Sequence, residues 1–388
     1  MRTFNVGIVG YGFMGKTRAY AHQVMPLFYD PLPARCRITH VCSGRESTAR
    51  AAAEALGAGV ATTDFRKVTE CPDVDLVHIC TPNHLHVEQL LSAMNAGKHI
   101  LCDKPLTATL EEARQVERAL PGYRGAGQMA LHLRFFPATM RAKQLVDEGF
   151  LGQPLEFRMD YLHSGSADPC APLKWKLSAA AGGGVIADLG SHVLDLAGWL
   201  LGDYAELLAA THVAYPERPA AGEPGRTVRV DAEDSVMVLA RMKSGAFGHI
   251  SATKIATGAE DELRFELHGS KGALRFNAMD PHHLEAYDAS APGAPLGGVR
   301  GWTRIDCGQR YGAPAAAFPG PKLAIGWLRS HLACVTDFIG RAAEGRQGDP
   351  GLQQGVRVQE LIELCRTSAR EGKWVDCRSG AEWLCGRC

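Results

Sequence analysis

The apolar positions of this chain change period along its length, and the change divides it in two. Over the first third, short continuous apolar runs alternate with segments whose apolar residues recur every three or four positions. The runs are Phe4 to Gly10, Arg37 to Cys42, Asp75 to Cys80, His99 to Cys102 and Gln128 to Leu133. Between them, Glu46 to Leu56, Leu85 to Ala96 and Thr109 to Leu120 have the helical period. Strands that alternate with helices in this way predict a parallel, doubly wound sheet.

Past Arg134-Phe-Phe-Pro137 the pattern changes. A helix over Ala138 to Glu148 and a strand over Leu155 to Leu162 come first, then the loop 164–172 and the glycine run 182–184. From about Ala205 a period of two dominates: Leu207 to Val213, Asp234 to Met242, Ala246 to Thr253, Glu262 to His268 and Ala273 to Phe276. Turns such as Lys243-Ser-Gly245 join these strands, which predicts a large, open, mostly antiparallel sheet. Segments 215–229 and 289–325 read as long Pro/Gly/Ala-rich loops, and helices near 326–340 and 353–371 finish the chain. The predicted architecture is an α/β domain over 1–126 and an α+β domain over 127–388. The C-terminal helix is a candidate to pack back on the first domain.

Composition narrows the function more than the fold. At 388 residues two domains are the natural prior. The 42 basic and 42 acidic residues cancel, and no basic run stands out. That removes the electrostatic footprint of a nucleic-acid or anionic-membrane binder. No apolar stretch is read as a membrane span, and the N-terminus enters a strand directly, so the expected compartment is the cytoplasm. The twelve cysteines are scattered and read as free thiols. Cys385 and Cys388 alone have ligand-like spacing, and even with Cys377 a fourth ligand is missing, so no metal is expected.

The first run ends in Gly10, Tyr11, Gly12, Phe13, Met14 and Gly15. A glycine at the turn, one where the backbone must approach a pyrophosphate, and one where helix meets strand make a dinucleotide-binding fingerprint. It follows a strand and precedes a helix, which is the context such a loop needs. The second strand ends in Ser43, Gly44 and Arg45, where an NAD site usually places a carboxylate for the ribose. A hydroxyl and a guanidinium suit a 2′-phosphate instead, so NADP is favoured, with NAD the alternative. Thr81, Pro82 and Asn83 close the next strand. They read both as a brace for a cofactor ribose and as a helix start capped by Asn83.

Four segments together resemble the glucose-fructose oxidoreductase/inositol dehydrogenase (Gfo/Idh/MocA) family over nearly the whole chain. They are the glycine loop 10–15, Thr81-Pro-Asn-His-Leu-His86, Ala96-Gly-Lys-His-Ile-Leu-Cys-Asp-Lys-Pro105, and Gly182-Gly-Gly-Val-Ile-Ala-Asp-Leu-Gly-Ser-His-Val-Leu-Asp195. Tyr161 to Pro169 with Leu173-Lys-Trp-Lys176 further resembles its sugar and levoglucosan-dehydrogenase-like members. The resemblance implies that Lys104 lies beside a substrate hydroxyl, that Pro105 shapes the nicotinamide pocket, and that Asp188 and His192 complete the catalytic set. Asp103 is counted on the cofactor side with His86, which lies at the start of a helix near the cofactor and is expected to pack at the domain junction. Three positions depart from the family pattern. Asp103 stands for the usual glutamate before Lys-Pro, Leu133-Arg134 after His132 replaces a Tyr-Arg pair, and Lys176 replaces an arginine.

The chemistry then expected is hydride transfer between a secondary alcohol of a sugar, glycoside or cyclitol and a nicotinamide cofactor. An imidazole can take the hydroxyl proton near neutral pH, a carboxylate can stabilise the imidazolium, and an amine can hydrogen-bond the developing alkoxide. The bland reading makes Asp188 a helix cap and His192 a first-turn residue. His132, Tyr161, His163, Trp175 and Lys176 are further candidates to bind substrate. Two enzyme alternatives retain the cofactor, a glycosidase using transient oxidation and a sugar–sugar oxidoreductase. A third alternative is a non-enzymatic sensor or regulator, against which Lys104, Asp188 and His192 argue. An open sheet with an apolar face also implies a homodimer or homotetramer.

Overall fold

The computed structural model describes residues 1–312, 318–320, 322–324 and 326–377. Six strands and five helices come first: β1 Thr3–Val9, α1 Phe13–Phe28, β2 Arg35–Cys42, α2 Glu46–Leu56, β3 Val60–Thr62, α3 Arg66–Thr69 and β4 Leu76–Ile79. They continue with α4 His86–Asn95, β5 His99–Cys102, α5 Leu110–Ala119 and β6 Gly127–Met129. All six strands pair in parallel in the order β3-β2-β1-β4-β5-β6. The order reverses between β1 and β4, the place where such sheets leave a crevice for ligands.

The strands lack polar alternation because both faces of this sheet are covered. Phe4, Val6 and Ile8 pack with Met25 and Phe28 of α1, whereas Val9, Val77, Ile79 and Ile100 pack with Leu90 and Met94 of α4 and Val116 of α5. The last strand is shorter than its apolar run. After Met129 the chain leaves the sheet, and His132–Phe135 form a 3-10 turn.

The second set comprises α6 Pro137–Asp147, β7 Pro154–Leu162, α7 Ser191–Leu201, β8 Tyr204–His212, β9 Glu217–Pro219 and β10 Thr227–Arg229. It continues with β11 Ser235–Met242, β12 Phe247–Thr253, β13 Glu262–Gly269, β14 Gly272–Asn277, β15 His283–Asp288 and β16 Trp302–Asp306. Last come α8 Leu328–Ala343, α9 Leu352–Glu371 and β17 Val375–Asp376. Nine strands make the large sheet, in the order β16-β15-β14-β13-β7-β12-β11-β8-β17. It is mixed: β7 and β12 run parallel and the other pairs antiparallel. The hairpin β9–β10 and the strand β16 fall in segments that read as loops.

One face of the large sheet is buried, with Val236, Val238, Ile250, Met159, Phe265 and Leu267 pointing inward. Helix α7 covers β7 and β12 on it, and α6 covers β14 and β15. The other face is exposed and largely laced with ion pairs, among them Arg158–Glu266, Arg264–Asp160 and Arg241–Glu206. Its exposed apolar members include Met237, Leu239, Phe247 and Trp302.

Contacts divide the chain into Met1–Phe135 with Gln309–Gln359, and Phe136–Gly308 with Glu360–Cys388. Residues 309–359, read above as part of the second domain, belong to the first unit. The cause is the stripe Leu332, Val335, Phe338 and Ile339 of α8, which buries against α1 and the β1 side of the parallel sheet. By length and composition one stretch among the described residues, Ala179–Leu201, is apolar enough to cross a membrane, and 83% of its most apolar window is buried inside the protein. Cys385 and Cys388 lie outside the described residues.

Candidate active site

In the first unit the candidates gather at the carboxyl ends of β1, β2, β4 and β5. Gly10 turns the chain at φ +95°, its amide donating to the Cys42 carbonyl at 2.9 Å. A Cβ on Gly10 would stand 2.6 Å from the Cys80 carbonyl carbon, and one on Gly15 would stand 2.1 Å from the Gly10 oxygen. These two glycines are required by the protein's own packing. Gly12 is different, because a Cβ there meets nothing within 4 Å. Helix α1 starts immediately after it with no side-chain cap and no acid in its first turn. Open ground, exposed backbone and a bare helix N-terminus fit a dinucleotide pyrophosphate. Tyr11 and Met14 are half-buried, while the Phe13 ring is 72% exposed and lies 5.5 Å from Trp327.

At the end of β2 the Ser43 amide donates to the Thr62 carbonyl, and exposed Gly44 and Arg45 lead into α2. Glu46, the nearest following acid, pairs with Arg50 one helical turn on. No carboxylate stands at positions 43–45. At the end of β4 the Thr81 hydroxyl donates to Gln89 at 2.7 Å, and Asn83 is buried in a 3-10 turn after Pro82.

His86 is fully buried. Its Nε2 lies 2.8 Å from the Thr81 carbonyl and its Nδ1 3.1 Å from that of Pro105. Burial pushes its pKa down, while the carbonyls against both ring nitrogens oppose that shift. It therefore braces the Thr81 loop against the Pro105 turn. The Asp103 amide donates to the Ile79 carbonyl, its carboxylate faces Arg18, and the half-buried Lys104 precedes Pro105 across a cis peptide. His132 is buried with Nδ1 3.2 Å from the Ser330 hydroxyl, and its ring stacks on His331 at 3.7 Å. Burial, reinforced by the charges of Arg18 and Lys104, holds His132 well below the usual imidazole range.

In the second unit the candidates surround the start of α7. Gly184 takes φ +104°, and a Cβ there would collide with the Glu233 carboxylate, which accepts the Ile186 amide at 3.0 Å. Glu233 thus caps the turn. Asp188 is no cap: it lies inside a π-helical turn, Ile186–Gly190, that continues directly into α7. Such turns recur at functional sites. His192 sits in the first turn of α7, buried, with the Tyr161 ring edge-on at 6.0 Å.

Two ammonium groups flank Asp188. Lys176 reaches both carboxylate oxygens at 3.0 Å, and Lys254 reaches Oδ2 at 2.9 Å. Lys176 is exposed and also lies 5.9 Å over the ring of the neighbouring Trp175. The Tyr161 hydroxyl donates to Asp261 at 2.6 Å, and burial followed by the Asp261 charge holds its pKa well above normal. His163 accepts the Gly165 amide on Nδ1 at 2.7 Å, which places the proton of the neutral ring on Nε2.

Lys254 escaped the sequence reading, although a signal existed. Gly248, Ile250 and Ala252 are the buried positions of β12, and Lys254 takes the next one. A lysine on the inward register of a strand is buried only with a partner. Among the described residues no group of three His, Cys, Asp or Glu side chains gathers to hold a metal.

Residues 4–123 match the model described as an oxidoreductase family, NAD-binding Rossmann fold, and residues 139–275 match the GFO/IDH/MocA C-terminal domain. Levoglucosan dehydrogenase of Pseudarthrobacter phenanthrenivorans is 34% identical over 388 residues, covering 97% of this chain and 98% of the relative. The chain belongs to the GFO/IDH/MocA oxidoreductase family. Inositol 2-dehydrogenase of Rhizobium meliloti is 29% identical, over 73% of this chain and 78% of that protein. A solved levoglucosan dehydrogenase in complex with NADH and levoglucosan superposes with a TM-score of 0.92 at 34% identity, covering 97% of this chain and 100% of that one. The protein is thus a nicotinamide-dependent oxidoreductase of the kind that acts on CH–OH groups.

Proposed function

We propose that this member dehydrogenates a secondary hydroxyl of an anhydrosugar or a related sugar or cyclitol, with Lys104, Asp188 and His192 as its catalytic residues. The observation that carries the reading is the polar cluster at the head of α7. In an otherwise apolar helix, Asp188 is fixed by Lys176 and Lys254 in the same continuous turn that presents His192. The likeness to levoglucosan dehydrogenase over the full length supports an anhydrosugar as the substrate class. Tyr161, His163, Trp175 and Lys176 are the proposed sugar contacts of this unit, and His132 that of the first.

When bound, the nicotinamide accepts hydrogen and two electrons from the alcohol carbon. The chain supplies the rest. His192 takes the hydroxyl proton, Asp188 offsets the imidazolium that results, and Lys104 hydrogen-bonds the oxygen as negative charge develops there. On the cofactor side, the Ser43-Gly44-Arg45 turn without a carboxylate supports NADP as the better cofactor. The solved relative carries NADH, which makes the preference a property to measure in this chain. We also infer a homodimer or homotetramer built through the exposed sheet face bearing Met237, Leu239 and Phe247.

The test has two arms. Levoglucosan, pyranoses and cyclitols are screened with NAD and NADP, reading the absorbance of the reduced nicotinamide. His192→Ala and Lys104→Ala are then followed in single-turnover assays with cofactor saturating. General acid–base groups contribute about 10²–10⁴-fold, and each variant is expected to lose that much. The double variant should lose less than the product of the two, because the residues act as a unit. No turnover with any polyol, or a normal rate in His192→Ala, overturns the assignment.

A further inference from the structure

We propose that Arg18 is a positioning residue for the Asp103-Lys104-Pro105 turn, holding it through a buried guanidinium fork. The inference rests on the role given above to Lys104. Arg18 lies on α1, just past the glycine loop, among Ala19, Ala21 and Met25 that pack on the sheet. Its own side chain is 1% exposed. An arginine is almost never buried to this degree without partners, and an apolar residue would fill a helix–sheet interface at lower cost in desolvation.

The partners come from distant places in the sequence. One terminal nitrogen lies 3.4 Å from Asp103 Oδ1, and the other donates to His331 Nδ1 at 3.1 Å. Arginine has no acceptor, so that histidine nitrogen carries no proton. Cys80, just past β4, lies near the Arg18 charge, and burial pushes its thiol up to about 12, so it stays protonated. Burial opposes the guanidinium charge, yet Asp103 and the other neighbours outweigh it and raise the pKa of Arg18.

The fork therefore ties the helix that follows the cofactor loop to the end of β5 and to α8. Asp103 is held at both ends, by its amide on Ile79 and by its carboxylate on Arg18, and Lys104 is the next residue. On the other side the His331 ring lies tilted against His132 at 3.7 Å and against Trp327 at 4.0 Å, and Trp327 meets Phe13 of the cofactor loop. A planar fork fixes two directions at once, which a lysine ammonium does not.

The experiment compares Arg18→Met, Arg18→Lys, Asp103→Asn and the double variant Arg18→Met/Asp103→Asn in the full-length protein. Lys104→Ala serves as the reference. Single-turnover rates at saturating cofactor and substrate are read beside cofactor affinity, by fluorescence titration of the reduced cofactor, and the melting temperature. Misplacing a reacting group by an ångström costs about 10²-fold, and Arg18→Met and Asp103→Asn should each slow the step by that order with cofactor affinity little changed. The double variant should be no slower than the slower single one, because both remove the same contact. Arg18→Lys should recover part of the rate.

A normal rate in folded Asp103→Asn overturns the proposal, as do losses that multiply in the double variant. If Arg18→Met does not fold, Asp103→Asn and Arg18→Lys decide. A normal rate in Lys104→Ala would sink the functional reading itself. An inactive Lys104→Ala beside normal Arg18 and Asp103 variants would sink only this inference.

Discussion

Replacing Asp188 by asparagine tests the architecture of the second unit as sharply as its chemistry. The substitution keeps the shape of the side chain and removes the charge between two ammonium groups. Lys254 is 7% exposed and 2.9 Å away, so its pair with Asp188 is a buried one. Removing one partner of a buried pair costs about 3–5 kcal/mol, because the remaining charge stays away from water. The pair with Lys176, whose side chain is 48% exposed, is screened and contributes about 0–1 kcal/mol. An asparagine oxygen still accepts a hydrogen bond from an ammonium, which returns part of the loss. The expected net destabilisation is about 2–4 kcal/mol.

For a domain of this size that corresponds to a fall in melting temperature of about 5–15 °C. Calorimetry or denaturant melts measure it, alongside the turnover rate, which should fall as well. Lys254→Met supplies the control. In the double variant neither charge of this pair remains, so its loss of stability should be smaller than the sum of the two single losses. Asp188→Asn melting within roughly 2 °C of the parent, or strict additivity in the double variant, would refute the buried pair.

Further predictions concern the remaining features. His22 is lowered to about 4 by burial and by Arg18, and burial holds His78 and His132 well below the usual range. Neutral buried rings stabilise above the unfolded value of about 6.5 and lose that contribution as the pH falls toward the folded values. Stability should be level above about pH 7 and decline between about 6.5 and 4, by at most about 1.4 kcal/mol per pH unit for each ring. Denaturant melts that stay level down to pH 5 would contradict this. Arg45→Ala should weaken NADP and leave NAD binding nearly unchanged in titrations of both; equal losses, or a parent that prefers NAD, would reverse the cofactor reading. Light scattering at micromolar concentration should give a dimer or tetramer, and a monomer would remove the exposed sheet face as an interface.

What could be read from the sequence is what is local. The strands of the parallel sheet are apolar on both sides, so Val6, Ile8, Val77 and Ile100 announce themselves without any knowledge of their partners. The glycine loop declares itself by spacing, and the run around Asp188 and His192 by four polar residues, with Ser191 and Asp195, in an apolar helix. The strand β16 gives no such signal. Most of Trp302–Asp306 is exposed, with Thr, Arg and Asp at the edge of the sheet, and nothing in that composition distinguishes it from a loop. The stripe on α8 shows that one side of the helix is covered but not which sheet covers it, so residues 309–359 were assigned to the wrong neighbour.

The polar residues that hold the candidate site were the hardest to read, and for the same reason. Arg18 on a helix looks like an ordinary solvated position. What buries it is Asp103, 85 residues on, and His331, 313 residues on. Lys254 is nearer to legible, because the alternation of β12 places it inside, yet its partner Asp188 lies on another element. Periodicity reports how much water a position sees, whereas a buried charge is tolerated only through a partner that periodicity does not identify. Sequence motifs therefore point to the groups proposed to touch substrate and cofactor, while the groups that fix them in place became visible only through three-dimensional contacts. Asp103 joins the two kinds: the resemblance placed it with the cofactor, and the structure turns its carboxylate to Arg18.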